Sequence, residues 1–299
     1  MQAFSSSPIS ILDVIRVEDA GVRPEGGTGV TLPLRETRTD ADERNIANDI
    51  INSITVVNTD EAADALIDKC LTSRTARIIS FVNAHAFNMC NRDGAFADGL
   101  LQSDVILRDG IGMQLLFQKL NIDAGLNMNG TDLIPRLLDS AKGQTVGLLG
   151  TADPYLSNAV DQLKQAGHNV IVAQDGFQDK AAYLSLVEQY RPKVIVLGMG
   201  MPKQELIAAY LKEHVTYNPL IINAGALIDF IGGKTKRAPR WVREVHMEWV
   251  FRLLSEPKRL FRRYVVGNAV FLSRFSSIRA SYVPALNVPA DLELEDLAG

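Results

Sequence analysis

Cysteine is scarce: Cys70 and Cys90 are the only two in 299 residues. They form neither a metal-ligand spacing nor a C-x-x-C redox motif, which excludes a disulfide scaffold and points to a reducing compartment. Cys90 lies in an apolar, helix-like stretch and reads as a core residue. No run of about 18 apolar residues occurs, so no membrane-spanning helix is expected. The N-terminal MQAFSSSPIS lacks a basic n-region and an apolar h-region, and no secretory signal is expected there. The four histidines, 85, 168, 214 and 246, fall at no metal-ligand spacing, and no metal is expected. Neither G-x-S-x-G nor a P-loop is present. An Asp-x-Asp match exists at Asp40-Ala41-Asp42, but it falls in a segment read as loose and is discounted.

What remains is an ordinary globular composition, 46% hydrophobic and 22% charged, able to bury a sizeable core. The net charge of −4 conceals an asymmetry. Between Lys234 and Arg279 stand twelve Lys/Arg and three Glu, so this block carries +9 and the remainder −13. A basic block on an acidic chain suggests an anionic partner at that end. A solvated helical surface is the alternative reading.

Residues 1–45 are rich in Ser, Pro, Gly, Thr and charge. They read as a poorly ordered leader with one short strand near Ile9–Ile15. Residues 46–233 alternate strands and helices. Strands are expected over Ala76–Val82, Asp104–Leu107, Thr145–Leu149, Val170–Ala173, Lys193–Leu197 and Leu220–Ile222. Helices are expected over Glu61–Leu71, Ile111–Leu120, Asp132–Ala141, Pro154–Ala166, Lys180–Gln189 and Pro202–Glu213. This alternation predicts an α/β fold, a mainly parallel Rossmann-like sheet with helices on both faces. After Gly233 it stops. Residues 234–282 read as a basic helical appendage, with helices near Arg240–Leu254 and Arg259–Phe275, and 283–299 as an acidic tail.

Open parallel sheets bind ligands at the carboxyl ends of their strands. The polar residues and glycines expected there are Asn83, His85, Asp109, Gly110, Gly150, Thr151, Gly198, Gly200, Lys203, Gln204, Asn223 and Gly225. Asp109 is either a general base in the cleft or the N-cap of the helix that follows. Asp132, beside Thr131, reads first as a complement to a helix dipole. Lys203 is conspicuous. It falls in the first turn of a helix, where a cation opposes the macrodipole, and it suggests that Lys203 or its neighbours meet an anion or an acidic side chain. Gln204 offers donor and acceptor to a sugar or amide. The stretch VIVLGMGMPKQE (194–205) lacks the third glycine of the dinucleotide fingerprint, and no acidic ribose reader follows. A phosphorylated sugar compound fits better than a nicotinamide dinucleotide.

Together, DGIG (109–112), GTDL (130–133), GLLG (147–150), GMGMPKQE (198–205), NAGALIDFIGGKTKRAPRW (223–241) and EWVFRLLSEPKRLFRRY (248–264) resemble the bacterial N-acetylmannosaminyltransferase family. That family serves wall teichoic acid, enterobacterial common antigen and exopolysaccharide assembly. The resemblance implies an inverting transfer from a UDP-sugar to a saccharide on a polyprenyl diphosphate, by a peripheral protein at the cytoplasmic face of the inner membrane. It implies Asp109 as base, with Asn83 and Gln204 in the pocket. Arg237, Arg252, Arg259, Arg262 and Arg263 match the region that supplies arginines to the diphosphate. Guanidinium groups bind phosphate through paired hydrogen bonds and can stand in for a metal. The partners implied are UDP-sugar, the lipid-linked acceptor and an anionic membrane surface, with no nucleic acid. Homo-oligomers are among the states the resemblance allows. Phe81 departs from the pattern, standing where many members carry Thr, so the donor sugar is open between N-acetylmannosamine and a hexose such as glucose. A non-catalytic UDP-sugar-binding protein and a Rossmann-type oxidoreductase are the alternatives.

Overall fold

The computed structural model describes residues 40–236, 238–239, 242 and 248–282. The expected strand near Ile9–Ile15 and the acidic tail lie outside these residues. In chain order the helices are α1 (Asp40–Asn52), α2 (Asp60–Leu71), α3 (Ala84–Cys90), α4 (Gly94–Leu101), α5 (Ile111–Leu120), α6 (Gly130–Ser140), α7 (Tyr155–Gln165), α8 (Lys180–Tyr190), α9 (Lys203–His214) and α10 (Leu227–Ile231). The C-terminal helical segment comprises α11 (Glu248–Ser255), α12 (Pro257–Phe261), a π-turn (Arg262–Val266), α13 (Gly267–Ser273) and α14 (Phe275–Ser281). The strands are β1 (Ile54–Thr55), β2 (Arg77–Val82), β3 (Val105–Arg108), β4 (Thr145–Gly150), β5 (Asn169–Gln174), β6 (Val194–Gly198) and β7 (Leu220–Asn223).

All seven strands pair in parallel, in the order β1-β3-β2-β7-β6-β4-β5. The sequence explains this. β6 and β7 are buried at every position, the continuous apolar pattern of strands covered on both faces. One face packs on α2, α6 and α7 through Ile67, Leu137 and Leu163. On the other, Phe87, Phe96 and Phe117 fill one half and Tyr183, Val187 and Leu211 the other. A polar thread crosses the apolar centre. Ser80 in β2 is fully buried, shares a hydrogen bond with Ser103, and accepts another from the Asn223 side chain.

Among the described residues, helical structure is present from Asp40, inside the segment read as leader. Ala47, Ile50 and Ile51 explain it: they give α1 an apolar side buried in the core. At the other end, the helix expected over Arg259–Phe275 is a continuous helical run from Pro257 to Ser273 that contains the π-turn. Its second half, α13, packs against α3. Phe271 is buried there, edge-on to Phe87 at 5.6 Å and to Phe275 at 5.2 Å.

Candidate active site

The carboxyl ends of the strands open into a cleft of about 840 Å³, within the usual range for a small-molecule site. One wall comes from the C-terminal segment, through Glu248, Trp249, Arg252, Arg263, Tyr264 and Phe271.

Asp109 follows the last residue of β3. Its carboxylate accepts a hydrogen bond of 3.3 Å from the Asn83 amide. Asn83 has a second task. Its side-chain oxygen accepts from the backbone N–H groups of His85 and Ala86, both at 3.1 Å, so it is the N-cap of α3. That fixes the amide so that its nitrogen faces Asp109. Asp109 itself caps nothing: the N-cap of α5 is Gly110, with no side-chain cap bond. Gly110 has φ of 85°, a left-handed conformation that an L side chain would strain. Its N–H donates to Asn127. Arg108 donates to the carbonyls of Ala124, Gly125 and Gly110, which ties the following loop to the same turn.

Burial pushes the Asp109 carboxyl above its ordinary value. The Asn83 hydrogen bond and the charges of Arg263, Arg252 and Arg108 pull in the other direction. His85 lines the same wall. Desolvation, then Arg263 and Arg92, hold its imidazole down to about 4, so it is neutral near pH 7.

The glycine turns form the floor. A methyl group on Gly150 would collide with the Gly198 carbonyl, so the ends of β4 and β6 meet backbone to backbone. Gly150 thus lies behind the lining rather than in it. Gln204 joins two other turns. Its side-chain oxygen accepts from Gly200 at 3.2 Å and Gly225 at 3.0 Å, and its amide nitrogen donates to Glu205 at 2.8 Å. Asn223, at the cleft floor, gives its amide nitrogen to Ser80, while its buried side-chain oxygen has no hydrogen-bond partner. Thr131 and Asp132 line the far wall with Asn129. The Thr131 hydroxyl donates to Asn129, and the Asn129 amide donates to Asp132.

The structure therefore brings Asn83, His85, Asp109, Gly110, Thr131, Asp132, Gly198, Gly200, Gln204, Asn223, Gly225 and Arg252 to one cleft. It leaves Gly150, Lys203 and Arg262 outside. Lys203 faces away and donates to the carbonyls of Gly176 and Gln178 at 2.8 and 3.1 Å. These oxygens, rather than an anion, answer its misfit with the helix dipole. Arg262 is exposed and does not line the cleft. Arg259 lies in α12, and Arg237 falls outside the described residues.

Thr151, expected at the end of β4, lines the cleft, and so do residues that strand-end reasoning did not single out: Lys234, Asp229, Asn127, Asn129 and Phe177. Lys234 donates to Asp229 at 3.1 Å, and Thr151 donates to the same carboxylate. Thr151 adopts a left-handed φ of 48°, and the Thr–Asp bond helps hold it there. Its place after β4 was the available signal; the partners come from a segment far along the chain. Among the described residues no three His, Cys, Asp or Glu side chains group as a metal site would need. Among them, too, no helix is long and apolar enough to cross a membrane.

Comparison with known proteins gives this geometry a context. A protein of Bacillus subtilis (strain 168), the N-acetylglucosaminyldiphosphoundecaprenol N-acetyl-beta-D-mannosaminyltransferase, is 27% identical over 217 residues, covering 70% of this chain and 84% of the relative. A protein of the same name from Bacillus spizizenii is 27% identical over 165 residues, covering 54% of this chain and 64% of the relative. The model of the glycosyl transferase WecG/TagA/CpsF family matches residues 49–282. That match runs from α1 through the seven strands to the helices that wall the cleft, so the chain belongs to the glycosyl transferase WecG/TagA/CpsF family.

Proposed function

We propose that this glycosyltransferase moves a sugar from a UDP-sugar to a saccharide carried on a polyprenyl diphosphate, with inversion at the anomeric carbon. The observation that carries the reading is the Asp109 carboxylate. It stands in the cleft, oriented by Asn83 and facing a wall with Arg252 and Arg263. The relatives' names specify N-acetylglucosaminyldiphosphoundecaprenol as their acceptor, and a lipid-linked N-acetylglucosamine is the acceptor assigned to this chain.

In the mechanism Asp109 accepts the proton of the acceptor hydroxyl. The oxygen then attacks the anomeric carbon from the side opposite the diphosphate, and the bond from that carbon to the β-phosphate oxygen breaks. UDP leaves with the bonding pair. Its growing charge is met by Arg252 and Arg263 and by backbone N–H groups of the glycine turns. No metal is assigned a part. The basic C-terminal segment exposes Leu254, Phe261, Val265 and Leu272 beside its cations. That combination suits a peripheral contact with an anionic lipid surface at the cytoplasmic face of the membrane.

The test is UDP release by the purified chain. UDP-N-acetylmannosamine, UDP-glucose and UDP-N-acetylglucosamine are offered in turn with lipid-diphosphate-linked N-acetylglucosamine, with and without EDTA. Acceptor-dependent release from one donor, indifferent to EDTA, is expected. Loss of turnover in EDTA, restored by a divalent cation, would overturn the arginine assignment. Silence with every donor would overturn the substrate assignment.

A further inference from the structure

Asn88 is an amide side chain on α3 that is only 5% exposed. Burying such a group is costly unless it is hydrogen-bonded. Its oxygen has no hydrogen-bond partner among the described residues. Its nitrogen donates to the Gly267 carbonyl at 2.7 Å, across 179 residues of chain. Phe271 already gives α13 an apolar anchor on α3, so docking by itself does not call for a buried amide.

The bond falls at a particular place in the helix. Gly267 closes the π-turn, and its N–H donates to the Arg262 carbonyl five residues back. Such a turn takes up one residue more than an α-turn and is frequent at functional sites. Here it changes what the helix shows to the cleft. Arg263 and Phe271 stand eight residues apart, and in an uninterrupted α-helix they would point about 80° apart. One extra residue taken up between them cuts this to about 20°. Arg263, Asn268 and Phe271 line the cleft together, while Phe261, Arg262 and Val265 are exposed.

The same short helix serves the other side of the cleft. Asn83, the N-cap of α3, donates to Asp109. Arg263 is near enough to pull down the pKa of both His85 and Asp109. One rigid element therefore orients the carboxylate at its N-terminus and meets the arginine's helix through Asn88.

We infer that Asn88 is a positioning residue for the transfer: by holding the Gly267 carbonyl it fixes the π-turn, and the register of that turn carries Arg263 into the cleft. This rests on the part given to Arg263 in the proposed function. Asn88 does not line the cleft, and it acts through the helix rather than on a substrate.

The experiment is a double-mutant cycle on UDP release by the full chain, with Asn88→Leu, Arg263→Met and the pair. Leucine keeps the branched shape without the donor, and Asn88→Ala replaces it should leucine overfill the site and lower the melting temperature. Asn88→Leu is expected to lower kcat roughly 10-fold or more, the scale of a misplaced group. The pair should be no worse than Arg263→Met alone. Effects that multiply would mean that Asn88 acts elsewhere, and they overturn the inference, as does wild-type turnover in Asn88→Leu. Deletion of Val266 tests the register. It converts the π-turn to an α-turn and leaves Arg263 seven residues before Phe271, so turnover should stay within about threefold. In that background Asn88→Leu should cost little. A deletion variant as poor as Arg263→Met overturns the register argument. A further readout needs no substrate. Followed by NMR, the Asp109 carboxyl should titrate at higher pH in both Asn88→Leu and Arg263→Met, because a neighbouring cation is withdrawn. If the unaltered chain releases no UDP while this titration moves, the transfer reading fails and the clamp on Arg263 stands. A titration that stays put in Asn88→Leu removes the clamp whatever the turnover.

Discussion

Asp109 and Glu205 are two carboxyls placed by burial in different circumstances. Asp109 opens on the cleft, and as a base it must be ionised. On the proposed mechanism Asp109→Asn removes the acceptor of the proton, and it is expected to lower turnover roughly 100-fold or more, measured as UDP release. Burial raises its pKa. The wild-type rate therefore falls, as pH drops, at values above the ordinary carboxylate range, and the variant lacks that limb. A near-normal rate in the variant would remove Asp109 from this role. Glu205 is almost wholly buried, with one oxygen bonded to Gln204 and the other without a partner. Burial moves it from 4.5 up to about 7. The native state thus holds this proton more tightly than the unfolded chain does. The stability it confers is full below about 4.5 and is lost as pH rises towards 7, by about 3 kcal/mol. In thermal melts from pH 4.5 to 8, Glu205→Gln should lose this part of the decline. Parallel curves for the two proteins would contradict it.

At the scale of elements, the long core helices and the strands were legible because each repeats its pattern over a turn or more. Ile111–Leu120 matches its expected bounds, and α8 and α9 differ by a residue at the ends. Of the helices Ala84–Cys90, Gly94–Leu101 and Leu227–Ile231, only the first was anticipated, as a helix-like stretch around Cys90 without bounds. They have 7, 8 and 5 residues, too few for a helical period to stand out. Asn83 and Asp93 cap the first two, and these caps were the readable signal. The two-residue β1 carries no periodic signal at all. Among the C-terminal helices, α13 docks through one side chain above the rest. Phe271→Ala removes the ring that fills the gap between Phe87 and Phe275. The cost in a core is about 3–5 kcal/mol. The expected result is release of α13 and α14, seen as faster hydrogen exchange over residues 267–281 with β6 and β7 unchanged. Exchange that rises equally in the central strands would mean that the segment and sheet unfold as one unit.

For the whole molecule, the question is how the C-terminal segment relates to the sheet. It supplies Arg252 and Arg263 to the cleft and covers the apolar faces of α3 and α5 with Phe271 and Ile278. A chain ending at Gly233 should keep the strand order, which needs none of the later residues. It should lose UDP release roughly 100-fold or more, as when charge-stabilising donors are removed. It should also self-associate in light scattering, because Phe87 and Met113 lose their cover. A monomeric, fully active truncation would contradict both roles.

The sequence alone determined the layered α/β body, the strand ends that open into the cleft, and Asp109, Asn83 and the glycine turns as candidates there. Those features are local: apolar runs, turn residues and their spacing act over a few neighbours. Only the tertiary structure decided which groups are committed elsewhere. Lys203 grips the Gly176 and Gln178 carbonyls 25 to 27 residues away, and Asn223 reaches Ser80 across 143. Lys234 and Thr151 share Asp229 across the cleft floor. A hydrogen bond forms between whatever donor and acceptor the fold brings within about 3 Å, and no spacing along the chain records that meeting.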